Sequence, residues 1–144
     1  MPMTPTTLYP LVIALLVGGA SASAVAQEEQ HRQAFADAMM VCNAHALFQH
    51  LYAQGKRVPE LPTAADYKAL AYQAGGQAYV EARLESRAVR DEAMKQLEAQ
   101  LNTQPYDGLT EEARERHMTA TWSRLLTTCN ERAAAGAKSA ATPK

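Results

Sequence analysis

The first 26 residues of this chain contain no aspartate, glutamate, lysine or arginine, so all of its formal charge lies beyond them. Within this stretch, residues 8–20 are mainly apolar, and alanine follows at positions 22, 24 and 26. A short apolar segment that ends in small residues at alternate positions is typical of a secretory signal peptide. We therefore predict that residues 1–26 form a signal peptide, cleaved before Val25 or Gln27.

The chain also lacks an apolar run long enough to cross a membrane. Pro10 and a pair of glycines at 18 and 19 interrupt the segment 8–20, whereas a membrane-spanning helix needs about 20 consecutive apolar residues. The chain also has no large excess of acidic or basic residues, because 15 acidic and 14 basic residues give a net charge of -1. We expect no membrane span after signal cleavage and no nucleic-acid partner, since no basic surface is available.

Cysteine is scarce, with Cys42 and Cys129 as the two in the chain. An exported protein enters an oxidising compartment, where two cysteines predict one disulfide. On the chain-entropy model, a bridge that closes so long a loop stabilises the folded state by about 4 to 5 kcal/mol. The signal and the single disulfide together indicate a periplasmic protein, with secretion as the alternative.

No segment alternates apolar and polar residues with a period of two, so the sequence gives no support for β-strands. Helical spacing of apolar residues instead occurs in four segments, at 28–54, 63–84, 87–102 and 110–132. Thr63, with Asp66 three residues later, and Thr110 are predicted to cap the second and fourth of these helices. The prediction is an all-α fold, either a four-helix bundle or a helical array, in one domain that spans residues 27–132. The alanine-rich segment 133–144 is predicted to be a disordered tail.

Both cysteines lie on the apolar stripe of their helix. The first helix carries this stripe at i, i+4, i+7 and i+11, and two leucines widen it: Phe35, Met39, Cys42, Ala46, Leu47 and Leu51. The last helix repeats the spacing with Met118, Trp122, Leu125 and Cys129. Because the first and last helices of an up-down-up-down bundle are antiparallel neighbours, the disulfide is predicted to join them.

The second predicted helix has a tyrosine and glycine face, formed by Tyr72, Gly75, Gly76 and Tyr79. Two adjacent glycines inside a helix cost about 1 kcal/mol each relative to alanine, so their presence needs a reason. One interpretation is close approach of another helix, or a kink. The other is a shallow groove with tyrosine walls that binds a partner, because tyrosine offers an apolar face and a polar tip.

Metal binding is a second interpretation of the first helix. Met39, Met40, Cys42 and His45 place soft and borderline donors within two helical turns, a set that suits copper(I). Methionines on an apolar stripe usually fill gaps in a core, however, and a cysteine with a partner is usually oxidised. We therefore predict no metal site and no cofactor, and keep these four residues as the alternative.

The sequence contains no recognisable catalytic motif. Ser86 and Ser123 lie in no local catalytic motif, and the acidic residues are distributed as surface pairs. We therefore predict a protein that is not an enzyme and that binds another envelope protein, as an inhibitor, an immunity factor or an accessory protein. The alternatives are a protein that binds a metal or small ligand, and a hydrolase whose site is assembled from distant residues.

Overall fold

The computed structural model describes residues 19–53 and 62–140. Within these ranges the chain forms five α-helices and no strand: α1 (Gly19–Tyr52), α2 (Ala64–Gly75), α3 (Gln77–Glu85), α4 (Ala88–Leu101) and α5 (Glu111–Ala140). The predicted all-α fold is confirmed. None of the helices in the described part of the chain is long and apolar enough to cross a membrane.

Helix α1 is the centre of the fold and packs against each of the other four helices. Its middle turns explain this position, because four consecutive side chains at positions 39–42 are buried, and consecutive residues point around the whole circumference of a helix. The core side chains of α1 are Ala36, Met39, Met40, Val41, Cys42 and Ala46. Helices α2, α4 and α5 add the facing residues, among them Tyr67, Ala71, Val89, Ala93 and Leu126.

A disulfide between Cys42 and Cys129 joins α1 to α5, with a Cα–Cα distance of 5.6 Å. The two helices run antiparallel, since Phe48 near the end of α1 lies beside Trp122, while Phe35 lies beside Gly136 later in α5. Both cysteines are buried. The prediction that one disulfide joins the first and last helices is confirmed.

The second predicted helix, 63–84, is divided into α2 and α3. Gly76 separates them with a φ of 79°, in the region that residues with a Cβ rarely adopt. The Gly76 backbone N–H still donates to the carbonyl of Tyr72, 3.0 Å away, so α2 ends in a regular hydrogen bond before the chain changes direction. The number of helices therefore differs from the four expected, because one glycine of the pair ends a helix.

Hydroxyl caps begin two of the helices as the sequence predicts. Thr63 and Asp66 form a reciprocal capping box at the start of α2, in which the Thr63 N–H donates to Asp66 Oδ2 at 2.7 Å. At the start of α5, the Ala113 N–H donates to Thr110 Oγ1 at 3.2 Å. These side chains satisfy backbone donors that have no partner within the helix.

Helix α5 extends further than the sequence indicated. The predicted disordered tail 133–144 is helical as far as Ala140, and residues 141–144 lie outside the described residues. Ala133 is buried, and Gly136 lies so close to Phe35 that an added Cβ would be 2.1 Å from Phe35 Cε2. Packing of these two residues on α1 therefore explains why the helix continues into this alanine-rich segment.

The predicted signal peptide lies only partly within the described residues. Residues 1–18 are outside them, and residues 19–26 form the first turns of α1. All side chains from 21 to 28 are exposed, and the first buried residue of α1 is Ala36. Cleavage before Val25 or Gln27 stays a prediction, and the side chains that it would remove at positions 21–26 are not part of the core.

Candidate functional site

The two glycines of the tyrosine and glycine face each have a structural role. A Cβ added to Gly75 would lie 2.8 Å from the Cβ of Ala36, so Gly75 permits close contact between α2 and α1. Gly76 has open space around it but a positive φ, so it permits the break between α2 and α3. Close approach and a change of direction, the first interpretation of this pair, account for both residues.

Tyr79 and Arg83 attach α3 to α1 through one carboxylate. The Tyr79 hydroxyl donates to Asp37 Oδ1 at 3.0 Å, and Arg83 donates to Asp37 Oδ1 and Oδ2 at 3.0 and 3.1 Å. Burial raises the pKa of Tyr79, and its hydrogen bond to Asp37 raises that pKa further. Tyr79 therefore acts as a contact between helices in addition to any role at the surface.

Tyr72 lies on α2 and is half-buried against the core. Two alanines that follow Gly75 at helical spacing, Ala78 and Ala82, are exposed. The break at Gly76 explains this difference, because a change of direction removes the common face that one continuous helix would have had. Partner binding by Tyr72, Gly75, Gly76 and Tyr79 stays a prediction, and only part of each tyrosine is accessible for it.

A different surface shows the larger apolar exposure. Leu47 and Leu51, which the sequence placed on the core stripe of α1, are 46% and 74% exposed, and Tyr52 beside them is 46% exposed. The Asn43 side-chain amide donates to the carbonyl of Ala64, 2.7 Å away, so α2 meets α1 at Asn43. The two leucines lie beyond that contact, where the apolar stripe of α1 continues and remains partly exposed.

Tyr106, in the connection between α4 and α5, lies near the same end of α1. Burial raises the pKa of Tyr52, and the charges of Glu115 and Tyr106 raise it further, which places both groups within electrostatic range of Tyr52. The guanidinium of Arg114 lies 5.3 Å from the centre of the Tyr106 ring, a cation–π contact. We call Leu47, Leu51, Tyr52 and Tyr106 together the apolar end.

The residues of the metal alternative are positioned for packing. Met39 and Met40 are fully buried, and Cys42 is bonded to Cys129, so the thiolate that this alternative requires is used in the disulfide. In the described ranges, no group of three or more histidine, cysteine, aspartate or glutamate side chains comes close enough together to hold a metal ion.

His45 is a buried polar residue whose role the sequence did not indicate. Its Nε2 lies 3.1 Å from Gln96 Oε1 of α4, and its ring contacts Trp122 of α5 edge-on, with centroids 6.1 Å apart. Neither His45 Nδ1 nor Trp122 Nε1 has a hydrogen-bond partner among the described residues. Burial lowers the pKa of His45, since a charged imidazole in this position would be poorly solvated.

The exposed leucines and the buried histidine were both missed by the helical pattern. For the leucines the signal is the length of α1: a helix of 34 residues extends beyond α2, which has 12. The excess leaves part of the α1 stripe uncovered.

Comparison of the chain with protein-family models, curated proteins and solved structures finds no match.

Proposed function

We propose that this protein is exported to the periplasm, or secreted, and binds another envelope protein through the apolar end without catalysing a reaction. Three of its members, Leu47, Leu51 and Tyr52, are large side chains that are each at least 46% exposed within two turns of α1. Large apolar side chains concentrated on one surface are typical of protein interaction sites. This concentration is the observation that carries the proposal.

The chemistry around the apolar end also suits a protein partner. Tyrosine and arginine are enriched in protein interfaces, where tyrosine supplies a large rigid contact area and a hydroxyl. Arg114 stacks on Tyr106 and its guanidinium donates to the Asp107 carbonyl at 3.3 Å, so both side chains are held in place before a partner arrives. Side chains ordered in advance lose less conformational entropy on binding.

The described disulfide supports the proposed compartment. A bridge with both cysteines buried is usual for proteins in oxidising surroundings and rare in the reducing cytosol. Inhibitor, immunity and accessory roles share the same requirement, a folded surface that recognises one envelope protein, and the partner's identity decides among them.

Photo-crosslinking in intact cells of the native host tests this proposal. A photoreactive amino acid replaces Leu51 in one variant and Leu84 in a matched control, because Leu84 is also an exposed leucine, at 40%, but lies on α3. We expect position 51 to give an adduct with one envelope protein and position 84 to give none. A third variant, with the photoreactive group at Tyr72, tests the tyrosine and glycine face.

A second readout uses the substitutions Leu47→Gln and Leu51→Gln together. These side chains are exposed, so we expect the melting temperature to stay within about 2 °C of the wild type, as for most surface substitutions, while the adduct and co-purification of the partner are lost. The control Leu84→Gln should keep both the adduct and the co-purification of the partner. Equal adducts at positions 51 and 84 would contradict the proposal, and an adduct at position 72 alone would move the binding surface to the tyrosine and glycine face.

A further inference from the structure

We infer that Gln27 becomes the first residue of the mature chain and then cyclises to pyroglutamate, so that helix α1 begins with a neutral lactam. This modification site rests on the proposed export of the protein, because the α-amine of Gln27 exists only after the signal peptide has been removed. It goes further by assigning the cleavage position and the chemistry that follows.

A chain that starts at Gln27 has a more favourable helix end than one that starts at Val25. Val25 is 66% exposed, so a chain that starts there presents a large apolar side chain to water at its first position. A chain that starts at Gln27 continues with Glu28 and Glu29. Carboxylates in the first turn of a helix interact favourably with its positive end.

Cleavage before Gln27 also frees the group that reacts. In the uncleaved helix, the N–H of residue 27 bonds to the carbonyl of residue 23, four positions earlier. Removal of residues 1–26 eliminates that acceptor, and the new amine has no partner in the helix. The side chain of Gln27 is exposed and makes no hydrogen bond within the described part of the chain, so it can turn towards its own amine.

The reaction is an intramolecular aminolysis of the side-chain amide. The lone pair of the neutral α-amine attacks Cδ of Gln27, a C–N bond forms to close a five-membered lactam, and the bond between Cδ and Nε2 breaks. The leaving nitrogen takes up a proton from the attacking amine and departs as ammonia. No oxidation occurs and no co-reactant is consumed.

The product suits the position. A protonated α-amine places a positive charge at the end of the helix where the backbone dipole is also positive, and the lactam removes that charge. Cyclisation leaves the two glutamates of the first turn as the charges nearest to the helix end. It also removes the free amine that aminopeptidases require, at a terminus where residues 27 and 28 are exposed.

Intact mass measurement of the protein purified from its native host tests the inference, with amine labelling of the terminus as the second readout. We expect a chain that starts at residue 27, contains the disulfide, weighs one ammonia less than its sequence requires, and has no labelled α-amine. The matched variant Gln27→Ala should be cleaved at the same place, keep its full calculated mass and become labelled.

The alternative results are distinguishable. A chain that starts at residue 27 with a labelled amine, or one that starts at Val25, overturns the cyclisation and leaves export intact. A chain that keeps residues 1–26 overturns both the cyclisation and the export on which it depends. Loss of ammonia in the Gln27→Ala variant also contradicts the inference, because the ammonia would then come from another residue.

Discussion

Helix α1 is held on its two sides by different means. On the α5 side the contact contains a covalent bond and large rings, with Cys42 bonded to Cys129 and Phe48 beside Trp122. On the α2 and α3 side the contact contains small residues and polar groups, with Gly75 against Ala36 and α3 attached at Asp37.

The two sides differ in what they tolerate. Close contact between Gly75 and Ala36 leaves no room for an added methyl group, so this side specifies the position of α2 by steric fit. The α5 side buries two polar ring nitrogens that have no protein partner among the described residues, His45 Nδ1 and Trp122 Nε1. A fixed covalent link can hold together a contact that includes such unfavourable groups, since it limits the freedom of the unfolded chain instead of improving the packing.

The largest effect on stability should come from removing the disulfide on the α5 side. Replacement of Cys42 and Cys129 together by alanine is expected to lower the free energy of unfolding by about 4 to 5 kcal/mol, because the two positions are 87 residues apart and the unfolded chain regains that loop freedom. Urea denaturation of the variant and the wild type measures the difference. A loss below about 1 kcal/mol would show that the rings alone hold α5 on α1.

The second effect should come from the steric side. Gly75→Ala is expected to destabilise the protein by about 1 to 3 kcal/mol, the usual cost of overpacking, because its Cβ would lie 2.8 Å from that of Ala36. Gly76→Ala should cost a similar amount, about 1 to 3 kcal/mol, through its backbone conformation instead. Thermal unfolding of both variants provides the comparison.

Rescue by Ala36→Gly separates these two causes. The added substitution removes the methyl group that Gly75→Ala meets, so the double variant should be more stable than the sum of the single effects predicts, by about 1 kcal/mol. When Ala36→Gly is combined with Gly76→Ala instead, the loss of stability should equal the sum of the two single losses. Equal rescue of both would contradict the assignment of Gly75 to close packing.

The third effect concerns the polar contact of α3. Tyr79→Phe removes the hydroxyl that donates to Asp37, and we expect a loss of about 1 kcal/mol in the free energy of unfolding. Arg83 still donates to the same carboxylate, so the charge is not left unpaired. Tyr72→Phe is the matched control, since the Tyr72 hydroxyl makes no hydrogen bond within the described residues, and its change in chemical denaturation should be near zero.

The sequence predicted the parts of this comparison that depend on residue spacing. Cysteines on the apolar stripes of the first and last helices predicted the disulfide. Threonines at the start of two helical segments predicted the caps at Thr63 and Thr110. These features depend on residues near one another in sequence, or on a pairing with one possible partner.

The features that the sequence did not predict depend on where neighbouring helices end. Leu47 and Leu51 have the spacing of core residues, yet they are exposed, because α2 begins beside Asn43 and runs away from them towards the start of α1. Ala133 and Gly136 lie in an alanine-rich segment that resembles a tail, yet they pack on α1. Spacing identifies an apolar face, but the length of the partner helix determines how much of that face is covered.

The smallest effect should be a pH dependence on the α5 side. Burial lowers the pKa of His45 below its ordinary value of 6.5, with the charge of Arg132 acting in the same direction and the hydrogen bond to Gln96 opposing it. The folded state therefore binds a proton less readily than the unfolded state, and protonation favours unfolding. Stability should be highest above pH 6.5 and should decrease as the pH falls below that value, until the pH reaches the folded-state pKa.

Urea midpoints of the wild type and His45→Gln, measured from about pH 8 to pH 5, isolate this contribution. The variant has no imidazole at position 45, so its stability should fall less over this range than that of the wild type. His50→Gln is the matched control, because it removes an exposed imidazole from the same helix with the same change in side-chain chemistry. If His45→Gln loses as much stability on acidification as the wild type, the α5 side does not respond to pH through His45, and the two sides of α1 differ in covalent linkage and steric fit alone.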